Sequence, residues 1–198
     1  MNMENERIGI VLAGGLSGRY GKPKAFAELN GRKFYEIAYD TLRSVADDVI
    51  IVAREEHRNQ FPATYRVIAD QKRFAGCGPL AGIYSAMMEE KARSYAVLPC
   101  DMPLVTPEMM ERLVRFHTKD VAVVVSEGHL QPLVSIWDKG MKERIRASLE
   151  KGRLKLTDAF EGADLVQVDG QLISSHPEAF MNVNTPEEDR ELRKWKRL

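Results

Sequence analysis

The sequence predicts an α/β fold in which helices cover a mainly parallel β-sheet. Short apolar runs alternate along the chain with segments of helical periodicity, which is the pattern of successive β-α-β units. The apolar runs are rich in β-branched residues, as expected of strands that are buried on both faces. The length of 198 residues suits one domain with a sizeable core, so we expect a single domain over residues 1–198.

In the first half of the chain, apolar runs predict buried strands, and two segments predict helices. The strands are expected at residues 8–13, 49–53 and 65–69, and the first helix at 33–44. Apolar residues at i, i+3, i+4 and i+7 indicate a second helix, with an inner face of Leu80, Ile83, Tyr84 and Met87. Gly78 and Pro79 come just before this face and suit the N-cap and first turn of the helix.

The second half of the chain continues this alternation. Strands are expected at residues 95–98, where Pro99 ends the run, at 121–125 and, with weaker alternation, at 133–137. One helix opens at Thr106-Pro-Glu108, which supplies an N-cap, a first-position proline and an acidic first turn. Another helix carries Met141, Ile145 and Leu149 on one face, and residues 185–188 form a capping box for a last helix.

Composition and charge exclude several classes of protein. The 29 basic and 29 acidic residues cancel, so the chain lacks the basic excess of nucleic-acid-binding proteins, and we expect no nucleic-acid partner. The sequence has no run of 18 apolar residues and no signal-peptide pattern, so we expect no membrane segment and a cytoplasmic location. The two cysteines do not have the spacing of a metal site.

The glycine-rich loop at residues 12–24 is the strongest functional signal. Its four glycines follow directly on the first strand, and glycine lets backbone N–H groups approach phosphate oxygens. Arg19, Lys22 and Lys24 add cations, and arginine can grip a phosphate with two parallel hydrogen bonds. The spacing is neither that of a Walker A loop nor that of the dinucleotide fingerprint. The loop predicts a triphosphate site, and the alternative is a surface turn with basic neighbours.

A single carboxylate, Asp101, follows the strand at residues 95–98. Proteins commonly hold Mg²⁺ with one or two carboxylates together with phosphate oxygens and water, so Asp101 is a candidate magnesium ligand. The alternative is a turn or N-cap aspartate between two prolines. We interpret the adjacent Cys100 as a small buried side chain, because no histidine pattern supports a nucleophile. His117 is interpreted as a partly buried structural histidine.

Two further clusters contain residues suited to binding. Asp70 follows the strand at residues 65–69 and could accept hydrogen bonds from the N1–H and 2-amino groups of guanine, or could close a turn. The nearby Gly76 and Gly78 either permit close backbone approach or make that turn. Asn182 and Asn184 share a face of an extended chain, where they could contact a polar substrate or mark a helix entrance.

These motifs together resemble those of molybdenum cofactor guanylyltransferases, the MobA family of nucleotidyltransferases. The N-terminal signature is Leu12-Ala-Gly-Gly15 with Ser17, Arg19, Gly21 and Lys24. Three further segments resemble family motifs in the same order, at residues 78–82, 99–103 and 182–187. The resemblance covers nearly the whole chain and implies a Rossmann-like three-layer α/β/α nucleotidyltransferase fold with a mostly parallel sheet.

The resemblance implies transfer of GMP from GTP to molybdenum-molybdopterin, which forms the guanine dinucleotide cofactor and releases pyrophosphate. The GTP-binding residues it implies are Leu12, Ala13, Gly14, Gly15, Lys24, Asp70, Gly78, Pro79, Leu80 and Asp101. The implied catalytic residues are Lys24, Asp101 and Arg19, with Asp101 as the Mg²⁺ ligand. Asn182 and Asn184 would face molybdopterin. The further partners implied are molybdopterin-handling proteins and molybdoenzymes.

Two departures from the family pattern keep alternatives open. Tyr20 stands where the family often has methionine, and Pro23 precedes Lys24 where many members have aspartate. Because Pro-Lys is common in sugar-phosphate relatives, a cytidylyltransferase or a sugar-phosphate nucleotidyltransferase of the same fold is one alternative. A non-catalytic molybdopterin or nucleotide carrier is another. Lys24 and Asp101 argue against a carrier, which needs no catalytic metal site.

Overall fold

The structure is a computed structural model that describes residues 5–15, 23–183 and 188. Within this part of the chain, seven strands form one sheet and two short strands form a separate hairpin. The sheet strands are β1 (Asn5–Leu12), β4 (Asp48–Val52), β5 (Arg66–Ile68), β6 (Ala92–Pro99), β7 (Val121–Ser126), β8 (His129–Asp138) and β9 (Leu165–Asp169). The hairpin consists of β2 (Glu28–Leu29) and β3 (Arg32–Lys33).

The sheet has the strand order β5-β4-β1-β6-β8-β7-β9. Neighbouring strands are parallel except at β8, which runs antiparallel to both β6 and β7. The prediction of a mostly parallel sheet is therefore confirmed. β4 and β6 flank β1 on opposite sides, so the strand order reverses there, and open α/β sheets bind ligands at the carboxyl ends beside such a point.

Helices cover both faces of the sheet and complete three layers. They are α1 (Phe34–Arg43), α2 (Pro79–Glu89), α3 (Pro107–Arg115), α4 (Met141–Glu150), α5 (Leu156–Ala159) and α6 (Gly170–Ile173). On one face, α1, α3 and α6 pack against strand residues such as Val11 and Leu98. On the other, α2, α4 and α5 pack against residues such as Ile10 and Val97. Alternate residues of each strand enter opposite cores because side chains alternate along a strand.

Helix α2 begins where the sequence predicts. Gly78 is its N-cap residue, with a φ of 78° that favours glycine, and Pro79 is the first residue of the helix. A methyl group at Gly82 would lie 2.9 Å from Cδ2 of Leu12, so this glycine lets α2 approach β1 closely. The predicted inner face is buried as expected: Leu80, Ile83, Tyr84 and Met87.

The observed elements also differ from the sequence expectations. β8 begins at His129, earlier than its weak alternation suggests, and β6 includes Pro99 as its last residue. The sequence did not predict β9, α5, α6 or the β2–β3 hairpin, which are short or half-exposed and carry little periodicity. The capping box at 185–188 lies outside the described residues except for Glu188, which is helical. None of the helices in the described ranges has the length and hydropathy that crossing a membrane needs.

Candidate active site

The carboxyl ends of four parallel strands lie side by side and carry residues that the sequence singles out. β1 pairs Leu12 with Val52 of β4 and with Pro99 of β6. β4 in turn pairs Val52 with Ile68 of β5. Each of these four strand residues is followed, two positions later along the chain, by one member of a set that we name the carboxyl-edge row. In order across the sheet, the carboxyl-edge row consists of Asp70, Arg54, Gly14 and Asp101.

The carboxyl-edge row continues the face of the sheet that α2 covers. Leu12, Val52 and Ile68 all pack into the core beneath α2. Because side chains alternate, the residues two positions further along each strand project toward the same face. The Oδ1 atom of Asp70 lies 3.7 Å from the position of a Cβ on Gly82 of α2, in agreement with this direction.

Lys24 and Asp101, both predicted to be catalytic, form an ion pair. The Lys24 Nζ lies 3.0 Å from the Asp101 Oδ2, although 77 residues separate them in the sequence. The two side chains are only 14% and 22% exposed, so the pair is partly shielded from water. A cation and a carboxylate therefore stand together near the carboxyl end of β1, where a triphosphate and its counter-ion would each find an opposite charge.

The backbone of Lys24 is anchored by aromatic packing. Lys24 opens a short 3₁₀ turn that ends at Phe26, and the intervening Ala25 is buried. The ring of Phe26 lies 4.8 Å from that of Phe61 and 5.7 Å from that of Tyr35. Such pairs favour fixed ring orientations, so the turn that presents Lys24 is held against the core.

The backbone at the start of the glycine-rich loop is partly used by the sheet. The Cys100 N–H donates to the Leu12 carbonyl at 3.1 Å, and the Ala13 N–H donates to the Val52 carbonyl at 2.8 Å. Gly14 and Gly15 are exposed, and their N–H groups make no hydrogen bond to any residue that the structure describes. Among the described residues of the loop, these two N–H groups are therefore candidate donors to a ligand.

Asp70 lies beside the loop that leads into α2. Its Oδ2 accepts a hydrogen bond from the Gly76 N–H at 3.2 Å, and burial raises the pKa of its carboxyl group. Gly78 and Pro79 are exposed at the start of α2, as a ligand site requires. The side chain of Leu80 is fully buried in the core, so Leu80 can contact a nucleotide only through its backbone.

The segment after the last 3₁₀ turn runs past Asp101. The Val183 N–H donates to the main-chain carbonyl of Asp101 at 2.8 Å, and the preceding residue, Asn182, is exposed. A contact of Asn182 with the second substrate stays a prediction. Arg19 and Asn184, also expected at the site, lie outside the described residues.

The residues present fit a magnesium ion that is completed by its substrate. Among the described residues, no three His, Cys, Asp or Glu side chains cluster as a metal cage would require. Mg²⁺ usually needs only one or two carboxylates because phosphate oxygens and water supply its other ligands. Asp101, with a hard oxygen donor at the partly exposed edge of β6, matches that requirement.

Two further side chains were interpreted as structural. Cys100 is 5% exposed, and burial raises the pKa of its thiol, which opposes formation of a nucleophilic thiolate. His117 is half-buried beyond the end of α3, and burial lowers the pKa of its imidazole. The expected burial of Cys100 and partial burial of His117 are confirmed.

The sequence analysis overlooked Arg54, the remaining member of the carboxyl-edge row. A detectable signal existed, because Arg54 follows the second buried strand as Asp70 and Asp101 follow theirs. Loops beyond parallel strands are the expected ligand positions in this class of fold, and the loop after β4 belongs with the others.

Comparison with known proteins shows the family to which the chain belongs. A profile described as the MobA-like NTP transferase domain matches residues 9–167. A probable molybdenum cofactor guanylyltransferase of Geobacillus sp. (strain WCH70) is 39% identical over 188 residues, covering 93% of this chain and 96% of that protein. One from Halalkalibacterium halodurans is 35% identical over 189 residues, covering 92% and 96%.

The fold also has solved counterparts. The crystal structure of molybdopterin-guanine dinucleotide biosynthesis protein A from Archaeoglobus fulgidus superposes with a TM-score of 0.81. At 21% identity, with 96% of this chain and 98% of that chain covered, this similarity concerns the fold alone. The profile and the curated relatives span most of the chain, and it belongs to the MobA-like NTP transferase family.

Proposed function

We propose that this protein transfers GMP from GTP to molybdenum-molybdopterin, forming the molybdopterin guanine dinucleotide cofactor and releasing pyrophosphate. The observation that carries this proposal is the Lys24–Asp101 ion pair beside the glycine-rich loop. A triphosphate needs cations and backbone donors at this point, and its metal needs a carboxylate. The curated relatives at 39% and 35% identity, named probable molybdenum cofactor guanylyltransferases, support the choice of substrates.

The reaction is a direct displacement at phosphorus. An oxygen of the molybdopterin phosphate attacks the α-phosphorus of GTP, and the bond from that phosphorus to the bridging oxygen breaks. Pyrophosphate leaves with the bonding electrons, and no covalent enzyme intermediate forms. The protein's task is to hold the two phosphates in line and to balance the charge that develops.

Lys24 supplies positive charge to offset the charge of the phosphates, and the loop backbone supplies hydrogen-bond donors to them. The Lys24 ammonium donates to phosphate oxygens, and the N–H groups of Gly14 and Gly15 add neutral donors at the end of β1. Because these groups are fixed before the substrate binds, they need little reorganisation during the reaction. Arg19, in the same loop, is proposed as a further cation.

Asp101 is the proposed ligand of Mg²⁺. The bound ion would neutralise phosphate charge and assist departure of pyrophosphate. The carboxylate of Asp101 lies just beyond the carboxyl end of β6, with its Oδ2 atom 3.0 Å from the Lys24 Nζ. The same position brings Asn182 close, because Val183 is hydrogen-bonded to the Asp101 carbonyl. Asn182 is therefore proposed to contact molybdopterin.

Asp70 is proposed to recognise the guanine base. Its carboxylate can accept hydrogen bonds from both the N1–H and the 2-amino group, a donor pair that adenine and cytosine lack. Across the sheet, Asp70 is separated from Asp101 by the positions of Arg54 and Gly14. Three strand spacings of about 4.8 Å give about 14 Å, which leaves room for a nucleoside between base site and phosphate site.

The test is pyrophosphate release with each of GTP, CTP, ATP and UTP, with and without Mg²⁺, in the presence of molybdenum-molybdopterin. The proposal expects release that requires Mg²⁺ and is selective for GTP. Release with CTP, or only with a sugar phosphate as acceptor, would move the activity to a related nucleotidyltransferase. Failure to release pyrophosphate under any condition, with molybdopterin still bound, would favour a carrier. Handover to molybdopterin-handling proteins and molybdoenzymes is proposed to follow product release.

A further inference from the structure

Arg54 occupies the one position of the carboxyl-edge row to which no function has yet been given. It lies two residues beyond Val52, as Asp70 lies two residues beyond Ile68, and these two partners are paired between β4 and β5. The Ala53 N–H donates to the Ile68 carbonyl at 2.9 Å, so the two chains still run together at this point. Arg54 and Asp70 are therefore neighbours on adjacent strand ends.

The side chain of Arg54 projects toward the face covered by α2. A Cβ placed on Gly14 would lie 3.8 Å from the backbone nitrogen of Arg54 and 3.9 Å from its Cγ. The aliphatic part of the arginine side chain therefore runs alongside Gly14. The Arg54 Nε lies 2.5 Å from Glu56, and the side chain is 38% exposed. Glu56 thus restrains the guanidinium while leaving it accessible to a ligand.

The position of Arg54 is closer to the proposed base site at Asp70 than to Asp101, the proposed metal ligand. Arg54 is one strand away from Asp70 but two strands away from Asp101. At about 4.8 Å per strand, its backbone is about 5 Å from Asp70 on one side and from Gly14 on the other, and about 10 Å from Asp101. Lys24 already serves the phosphate end through its contact with Asp101.

The chemistry of guanine suits this pair of side chains. Guanine presents N1–H and a 2-amino group as donors, and O6 and N7 as acceptors on the adjoining edge. A carboxylate accepts from the donors, whereas the planar guanidinium of arginine can donate to O6 and N7 together. Adenine places an amino group where guanine has O6, so a guanidinium there also disfavours ATP.

We propose that Arg54 is a specificity-determining residue that donates hydrogen bonds to O6 and N7 of the guanine base. Asp70 accepts hydrogen bonds from the N1–H and 2-amino groups of the same base. This inference rests on the proposed function, since it assumes that the carboxyl-edge row holds GTP. Arg54 contributes to selection among nucleotides, and the charge balance at the α-phosphorus stays with Lys24 and Asp101.

The experiment compares the binding of GTP and 7-deaza-GTP, which lacks the N7 acceptor, by calorimetry with the full-length protein and Arg54→Ala. The wild-type protein should bind 7-deaza-GTP at least about 5-fold more weakly than GTP, the lower end of the discrimination given by a bidentate contact. Arg54→Ala should bind the two nucleotides with equal affinity. The exposed Arg58, which pairs with Glu55, supplies the control variant Arg58→Ala, in which the difference should remain.

ITP, which lacks the 2-amino group, separates the role of Arg54 from that of Asp70. Arg54→Ala should still bind ITP more weakly than GTP, because that difference belongs to Asp70. The proposal for Arg54 is overturned if the variant keeps the penalty for 7-deaza-GTP, or if the wild-type protein shows none. If the wild-type protein binds no GTP at all, the proposed function fails as well, so the two failures can be told apart.

Discussion

Asp101 makes two separate contacts, one through its side chain and one through its main chain. Its side chain pairs with Lys24 at 3.0 Å, and its main-chain carbonyl holds the Val183 N–H at 2.8 Å. A substitution that keeps the backbone therefore isolates the carboxylate. Loss of the carboxylate would leave the Lys24 ammonium without this partner and remove the proposed anchor for Mg²⁺.

We expect Asp101→Asn to lower kcat for pyrophosphate release by at least about 100-fold, the scale seen when one preorganised electrostatic group is removed from an active site. The control is Asp164→Asn, which alters an aspartate whose side chain is 76% exposed and should leave kcat unchanged. Circular dichroism establishes that both variants are folded. Wild-type turnover by a folded Asp101→Asn protein would rule out the metal role.

The partly buried carboxylate of Asp70 should lower the stability of the protein at neutral pH. Burial raises the pKa of this carboxyl above its ordinary value of 3.8, so the folded state binds the proton more tightly than the unfolded state does. Stability is then lost as the pH rises through the folded pKa, and the loss persists at neutral pH. Below the unfolded pKa both states are protonated, and the cost disappears.

Asp70→Asn should therefore have a higher free energy of unfolding than the wild-type protein at pH 7, because the neutral amide avoids the cost of burying a charge. Its amide oxygen can still accept from the Gly76 N–H. Urea denaturation between pH 3 and pH 8 should show the difference shrinking toward acid. A variant less stable than wild type at neutral pH would contradict this account of Asp70.

At the scale of elements, the sequence predicted the strands and helices that have strong periodicity or clear caps. β1, β4 and β6 are apolar runs buried on both faces, and α2 has both its inner face and its glycine N-cap in the sequence. β9 was not predicted because it is an edge strand with mostly half-exposed residues. The antiparallel direction of β8 depends on the turn at residues 127–128, where both φ angles are positive.

The contact between β1 and α1 depends on a glycine inside the strand. A Cβ on Gly9 would lie 2.9 Å from Leu42 Cβ and 2.9 Å from Val49 Cγ2. The Leu42 atom is fixed close to the backbone of α1, so a clash there cannot be relieved by rotating a side chain. Glycine at this position therefore sets the distance between the helix and the sheet.

We expect Gly9→Ala to destabilise the protein by about 1–3 kcal/mol, the usual range for overpacking a core. The free energy of unfolding from urea titration is the measurement. Gly15→Ala is the matched control for stability, since a methyl group there would meet no atom of the described residues within 4 Å. Equal stability of the Gly9 variant and the wild-type protein would show that α1 can move away from β1 at little cost.

At the scale of the whole molecule, candidate site residues could be selected from the sequence, but their arrangement in space could not be predicted. Residue types and strand ends were enough to select Lys24, Asp70 and Asp101. The carboxyl-edge row depends on the order and register of β5, β4, β1 and β6, which arise from long-range pairing and leave no local pattern. Arg54 had a local signal, since it follows a buried strand, but only the register sets it beside Asp70.

Both cores extend under the full width of the sheet, which argues for one cooperative unit. The core beneath α1 contains Val11 of β1 and Val168 of β9. The core beneath α2 likewise contains Ile50 of β4 and Trp137 of β8. Since no group of strands has a core to itself, the expected single domain should unfold in one step.

We therefore expect thermal unfolding curves from far-UV circular dichroism and tryptophan fluorescence to coincide, with the buried Trp137 contributing to the second signal. GTP with Mg²⁺ at about 100 times its Kd should add about 2.7 kcal/mol of stability, which raises Tm by about 5–11 °C for a chain of this length. Because the proposed GTP site lies at one half of the sheet, a cooperative molecule should shift both curves equally. Two separate transitions, of which GTP moves only one, would instead divide the chain into two units and contradict a single domain.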